Sequence, residues 1–280
     1  MQRQMKQWRV LAVWVLLGGV IGAPAAPQAR AQGGEAYQWT YSARPGEVQR
    51  FRTYIRITGR MPDDSEDLKI TLKSASRHDI RQVSPEGNVT YDQSDERFAA
   101  VINDEAVAAK SAEVKPVSLT VGRNGLVLAR TNPAINPLTQ RYDKSLIALQ
   151  SMPVPPKPVK VGESWTVPIP NPLLKSGIIQ TTSTLVGVET VGGRPAFRVQ
   201  LRMEFPTTFG ATEQEIVKAQ VIYFLDRETH QLLRASYTVQ NPMLPFPGLR
   251  VQSQALVFRV IPGVNDAGDP EGDKLLAEKP

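Results

Sequence analysis

Only two histidines occur in the chain, His78 and His230, so any histidine-dependent chemistry must use one of them. Alternation along residues 68–83 places His78 on the same strand face as Ser74 and Ser76. A serine beside a histidine base is the arrangement that nucleophilic hydrolysis uses, provided that an acid orients the imidazole ring. The sequence offers no obvious acid near His78, so we expect a hydrogen-bonded interior histidine and keep a hydrolase as the alternative.

The other motifs that could carry chemistry are incomplete. Residues 162–166, GESWT, resemble the G-x-S-x-G nucleophile elbow, but Thr166 replaces the second glycine. The acidic cluster at 63–67 lacks the glycine of a calcium-binding loop, which favours a solvated loop. The absence of cysteine excludes a thiolate metal site. We therefore expect no metal and no cofactor.

Two loops are unusually apolar, 171–175 and 241–248. Both begin with Asn-Pro, a pair that initiates turns. Exposed apolar loops often mark contact sites, although the same residues would equally fill one end of a barrel by folding over it. The candidate binding residues in these loops are Leu173, Leu174, Met243, Leu244 and Phe246.

Most of the chain alternates apolar and polar residues, which is the pattern of half-buried antiparallel strands. The clearest stretch is 197–205, where every second residue is apolar. The pattern predicts strands at 50–58, 68–83, 87–102, 117–121, 126–131, 163–168, 178–189, 197–205, 214–226, 231–240 and 249–261. The residues that we expect to line the inner face of the sheet, around an apolar cavity, are Phe51, Ile55, Phe197, Leu201 and Phe205.

One helix and several tight turns complete the pattern. An Asn-Pro start followed by apolar residues at four-residue spacing predicts a helix over 137–150, packed on the open face of the sheet. His230 occupies a turn position where left-handed backbone is often required. Residues 103–113 stay unassigned. The predicted fold class is mainly β: a single curved antiparallel sheet or open half-barrel of about nine to eleven long, meandering strands with one packed helix.

Residues 1–31 have the three parts of a secretory signal peptide: a basic start, a short apolar run and an Ala-x-Ala site. The apolar run is about 14 residues long, shorter than the roughly 20 that a membrane-spanning helix needs. We therefore expect an exported protein, periplasmic or secreted, with no membrane span after cleavage. The predicted organisation is a signal peptide (1–31), a flexible segment (32–46), a β-rich half-barrel domain (47–262) with a Pro-rich connector (153–158), and a disordered tail (263–280).

The charge balance argues against nucleic acid as a partner. The chain carries 33 basic and 27 acidic residues, a formal net charge of +6. Four of the basic residues lie in the predicted leader, which holds no acid: Arg3, Lys6, Arg9 and Arg30. The remainder is therefore close to neutral, whereas nucleic-acid binding favours a strongly basic face.

Three segments carry a resemblance to known proteins: 159–170 with a G-[DE]-S-W element, the strand pair 182–205, and the hairpin 221–239. Together they resemble a family of exported bacterial proteins of unknown function, with His230 at the usual glycine position of the late hairpin. The resemblance implies a long-stranded antiparallel half-barrel, similar in outline to periplasmic carriers of lipoproteins and lipids. It transfers no catalytic residues.

The sequence thus favours a non-catalytic binding protein for an apolar ligand, such as an apolar small molecule or a lipid-like molecule, or for a partner segment. Two alternatives stay open. One is a hydrolase of unknown substrate that uses His78, and the other is a structural protein of the cell envelope.

Overall fold

The computed structural model describes residues 34–60, 67–107, 115–133, 140–171, 173, 177–209, 213–240, 250–262, 265 and 269–277. The predicted signal peptide lies outside these residues, and so does the apolar loop at 241–248.

Fourteen strands and two helices are formed by the described residues. The strands are β1 (Ala36–Tyr37), β2 (Val48–Arg60), β3 (Asp67–Val83), β4 (Val89–Ile102), β5 (Glu105–Val107), β6 (Val117–Val121), β7 (Val127–Thr131), β8 (Val159–Lys160), β9 (Ser164–Pro170), β10 (Ile178–Val191), β11 (Arg194–Phe209), β12 (Glu213–Asp226), β13 (Leu232–Gln240) and β14 (Arg250–Arg259). The helices are α1 (Gln140–Leu149) and α2 (Pro270–Ala277). Each predicted strand has a counterpart within a few residues, because the period of two is the strongest signal in the sequence.

One antiparallel sheet contains twelve of the strands, in the order β7-β6-β4-β3-β2-β14-β13-β12-β11-β10-β9, with β5 paired to β4. The sheet is not closed into a barrel, which confirms the predicted fold class. Two meanders, β2 to β7 and β9 to β14, are joined where β14 pairs with β2. The separate pair of β1 and β8 brings the start of the described chain beside the Pro-rich connector.

The inner face of the sheet carries the main hydrophobic core. The alternate residues of β11 that were expected to face inward are all buried: Phe197, Val199, Leu201, Met203 and Phe205. Trp39 covers them, because its ring stacks on Phe197 at 4.9 Å and meets Trp165 edge-on at 5.6 Å. Along β9 to β12 the inner face is therefore a packed core, and the apolar cavity expected there is not present among these residues.

Helix α1 closes another part of the inner face. Leu146, Ala148 and Leu149 belong to the main core, as the apolar stripe of the predicted helix requires. The helix is tied to β7 by a buried ion pair between Arg130 and Asp143, 3.0 Å apart. The residues that follow the helix, Gln150 and Met152, therefore form part of the wall of a pocket on the inner face of β2 to β4.

Helix α2 lies on the outer face, within the segment for which the composition predicts a disordered tail. Asp269 caps it by accepting the backbone N–H of Glu271 at 3.0 Å, and Pro270 is its first residue. Leu275 packs there with Tyr54, an outer-face residue that is completely buried. The helix persists because it removes this aromatic surface from water, which composition alone does not reveal.

Candidate functional site

A pocket of about 120 Å³ lies on the inner face of β2, β3 and β4. Its other walls are formed by residues 41–42, by Gln150 and Met152 after α1, and by residues 231–232 at the start of β13. Both apolar and polar side chains face it, so the pocket differs from the packed core beside it. We call it the inner-face pocket.

The strand register places the chemically versatile side chains of the pocket in two rows. Gln49, His78 and Gln93 are direct neighbours across β2, β3 and β4. Ser76 is paired on one side with Phe51 and on the other with Asp95. The predicted grouping of His78 with Ser74 and Ser76 on one face is present, and all three line the pocket.

A β-bulge in β4 turns Asp95 into the pocket. Ala75 pairs with Arg97 while the next residue, Ser76, pairs with Asp95, so Glu96 is the extra residue of the bulge. The inner face of β4 therefore changes from even-numbered residues after the bulge to odd-numbered residues before it. Unbroken alternation from Ala100 would have sent Asp95 outward, which is why the sequence seemed to hold no acid near His78.

His78 is clamped between two aromatic rings. Its ring lies 4.7 Å from that of Phe51 and is stacked on that of Tyr91 at 4.9 Å. Burial lowers the pKa of His78 to about 3, with a smaller opposing effect of Asp79, so the imidazole is neutral at neutral pH. Among the described residues, no hydrogen bond joins it to Ser74, Ser76 or Asp95.

Asp95 is the one carboxylate among the described residues that line the pocket, and none of them is a lysine or arginine. Burial raises its pKa to about 6. The charges on the outer face of the same strands are paired with one another and not with Asp95: Arg77 with Asp79 at 2.6 Å, Arg50 with Glu96 at 3.1 Å, and Arg81 with Asp92 at 2.8 Å.

A second carboxylate, Glu47, does not line the pocket but contacts two residues that do, Gln49 and Gln231. Its negative charge is balanced by Arg259. Glu47 accepts hydrogen bonds from the amides of Gln49 and Gln231, each at 3.0 Å, and pairs with Arg259 at 3.0 Å. Burial would raise the pKa of Glu47, but these contacts and the backbone N–H of Arg44 hold it below its usual value. Glu47 thus fixes two pocket amides in place, whereas Asp95 has no such counter-charge among the described residues.

His230 lies in the turn before β13 with a φ of 56°, the left-handed conformation expected from the sequence. The position therefore has a conformational role, which leaves His78 as the histidine of interest. In the motif at 162–166, Trp165 is buried in the core, and Ser164 is exposed and hydrogen-bonded to Thr184 at 2.7 Å. No nucleophile elbow is formed there.

The predicted contact residues are only partly described. Leu173 packs against the main core, and its backbone N–H donates to the Asn171 side chain at 3.0 Å. It does not line the inner-face pocket. The other four lie outside the described residues and stay a prediction: Leu174, Met243, Leu244 and Phe246.

Of the five residues predicted to line a cavity, one lines the inner-face pocket and four lie in the packed core. Phe51 does line the inner-face pocket. The remaining four face inward as expected but are buried in the packed core: Ile55, Phe197, Leu201 and Phe205. The sequence thus predicted their orientation correctly, but it could not show which part of the inner face is filled, because that depends on Trp39 and α1.

No protein-family model matches the chain, and no curated protein matches it. Several solved structures show a partial likeness, and two of them are as follows. One, described as a candidate exported protein with a YmcC-like fold from Bacteroides fragilis NCTC 9343, is 12% identical with a TM-score of 0.31, over 78% of this chain and 98% of that chain. The other, the hypothetical lipoprotein YmcC from Escherichia coli K12, is 14% identical with a TM-score of 0.26, over 75% and 87%. At these TM-scores the likeness carries no argument about function.

Fold and site together define an open, curved antiparallel sheet with a small pocket of mixed polarity on its inner face. Within the described ranges, no helix is long and apolar enough to cross a membrane. The same ranges contain no group of three or more His, Asp or Glu side chains that could hold a metal ion.

Proposed function

We propose that this protein, exported from the cytoplasm, binds a small amphipathic molecule in the inner-face pocket and does not transform it. The main supporting observation is a pocket of about 120 Å³ that has apolar walls and also holds polar side chains without a side-chain hydrogen bond or ion pair among the described residues: Ser76, Gln93 and Asp95. Ligand sites typically combine an apolar lining with a few convergent polar groups. The volume is close to that of cavities that hold one benzene ring, at about 150 Å³, so it suits a single ring or the end of a longer molecule.

A hydrolase is the second candidate, favoured by the bulge that brings Asp95 to the face of His78. Three features weigh against it. The pKa of His78 near 3 makes its imidazole a weak base at neutral pH. Its ring is held between Phe51 and Tyr91, and no hydrogen bond links it to Ser76 in the described structure. Loss of ester hydrolysis in a folded His78→Ala variant would decide for the hydrolase.

Filling the pocket tests the binding proposal. Ser76 lines the pocket, whereas Ser183 is equally a buried inner-face serine but is packed between Trp165 and Leu201 in the register. Ser76→Leu should abolish binding of benzyl alcohol, followed by ligand-observed NMR, and change the free energy of unfolding by less than about 1 kcal/mol. Ser183→Leu should retain binding but lose about 1–3 kcal/mol through overpacking.

Two results would contradict the proposal. One is wild-type protein that binds none of the single-ring probes described below. The other is a Ser76→Leu variant as destabilised as Ser183→Leu, because the space at Ser76 would then be filled already.

A further inference from the structure

We propose that the ligand of the inner-face pocket carries a primary ammonium group and that the Asp95 carboxylate binds it. This inference rests on the proposed function and adds the charge and chemical class of the ligand. It follows from the placement of one unpaired acid, several hydrogen-bond acceptors and aromatic rings around one small space.

The charged side chains that line the pocket are all acidic, because Asp95 is the one among the described lining residues. Asp95 faces it, and no lysine or arginine is among the described residues that line it. The arginines of β2, β3 and β4 alternate onto the outer face, where Arg77 and Arg50 are engaged with Asp79 and Glu96. Arg130 on β7 is buried in an ion pair with Asp143 of α1. Arg259, which does not line the pocket, is paired with Glu47. A half-buried carboxylate without a counter-charge is costly, and a cationic ligand removes that cost.

Protonation does not neutralise this charge at neutral pH. The pKa of Asp95, raised to about 6 by burial, leaves the carboxylate ionised above that pH. His78 contributes no positive charge, because burial keeps its imidazole neutral. The pocket is therefore anionic under ordinary conditions, which disfavours a carboxylate or phosphate ligand.

The remaining polar groups suit a primary ammonium in particular. An ammonium has three N–H donors and no acceptor. Next to Asp95 in the strand register lies the Ser76 hydroxyl, and two residues along β4 lies the Gln93 side-chain amide, each with an acceptor oxygen. The rings of Phe51 and Tyr91 line the same pocket and supply apolar contact for the ligand body.

The test uses three probes with the same ring and different charge: benzylammonium, benzyl alcohol and benzoate. Isothermal titration of the wild-type protein at about pH 7.5, where Asp95 is ionised, should give binding of benzylammonium about tenfold or more tighter than that of benzyl alcohol, with benzoate weakest. Binding of benzyl alcohol equal to that of benzylammonium would overturn the ammonium inference and leave the pocket as a binding site. Absence of binding by all three would overturn the proposed function as well.

A matched pair of variants shows whether one carboxylate causes the preference for benzylammonium over benzyl alcohol. Asp95→Asn keeps the shape of the side chain and removes its charge. The ratio of the affinity for benzylammonium to that for benzyl alcohol should therefore fall to about one. Asp92→Asn makes the same change on the same strand, but Asp92 is paired with Arg81 on the outer face, and this variant should keep the wild-type ratio. An unchanged ratio in Asp95→Asn would contradict the assignment, and the wild-type ratio itself decides the ligand charge if that variant fails to fold.

Discussion

Asp95 and His78 line the same pocket, yet burial moves their pKa values in opposite directions. It raises the pKa of Asp95 from 3.8 to about 6 and lowers that of His78 from 6.5 to about 3, because it disfavours the charged form of each group. The stability that Asp95 contributes is present below its unfolded pKa and is lost as pH rises through about 6. The stability that His78 contributes is present above pH 6.5 and is lost as pH falls towards 3.

Replacement of His78 by phenylalanine should therefore make the protein more resistant to acid. Phenylalanine retains the ring contacts with Phe51 and Tyr91 but has no site for a proton. Between pH 7 and pH 4 the wild type should lose about 2 kcal/mol more than His78→Phe, a value reduced from the full shift because His78 lines the pocket and is only partly buried. Urea unfolding at both pH values measures the difference, to which Asp95 contributes equally in both proteins.

The other histidine provides the control for this experiment. His230→Asn keeps a residue that tolerates left-handed backbone, and it should preserve most of the wild-type loss in acid. The tyrosines that face the pocket have raised pKa values and do not titrate in this range: Tyr41, Tyr91 and Tyr237. Equal acid sensitivity of wild type and His78→Phe would contradict the burial of a neutral His78.

At this scale the sequence predicted half of the site. Alternation alone brought His78, Ser74 and Ser76 to one face, because the side-chain period of a strand is two. It missed Asp95, since the bulge at Glu96 reverses that period and leaves no distinctive residue type in a single sequence. The acidic run at 92–96 was the one available signal, and its members divide between the two faces of the sheet.

Among the secondary-structure elements, helix α2 on the outer face of the sheet is one that the alternation of apolar and polar residues does not predict. Tyr54 stands among arginines on the polar face of β2, so the pattern suggests exposure, yet α2 buries it completely. The sequence signal for α2 was the Asp269-Pro270 start, which is a good cap followed by a good first helical residue. The acidic, Gly- and Pro-bearing composition of the tail outweighed that signal in the prediction of disorder.

Gly272 is the contact point of this helix. A Cβ atom there would lie 2.5 Å from the ring of Tyr54, closer than real contacts allow. Gly272→Ala should therefore loosen α2 and lower the free energy of unfolding by about 1–3 kcal/mol, although alanine favours helix more than glycine does. Faster amide hydrogen exchange across 269–277 would report the loosening.

Lys274→Ala provides the comparison, because it changes an exposed position of the same helix without approaching Tyr54. This variant should exchange amide hydrogens at the wild-type rate. A Gly272→Ala protein that is as stable as the wild type, with α2 equally protected, would contradict the docking of the helix on the sheet.

At the scale of the whole molecule, one pairing determines the architecture. β2 and β14 are about two hundred residues apart in the chain, and their ladder joins two local meanders into one sheet. Hairpin turns and strand periods predict the meanders, but nothing local in the sequence marks a pairing at such separation. β9, at one end of the sheet, carries Pro168 and Pro170, which cannot donate ladder hydrogen bonds and so discourage further pairing there.

We propose that the inner-face pocket is a ligand site built around Asp95. A crystal structure of the protein soaked with benzylammonium tests it most directly. We expect the probe in the pocket, with its nitrogen within hydrogen-bonding distance of the Asp95 carboxylate and its ring against Phe51 or Tyr91. A pocket closed by side chains, or benzylammonium bound only elsewhere on the molecule, would contradict it.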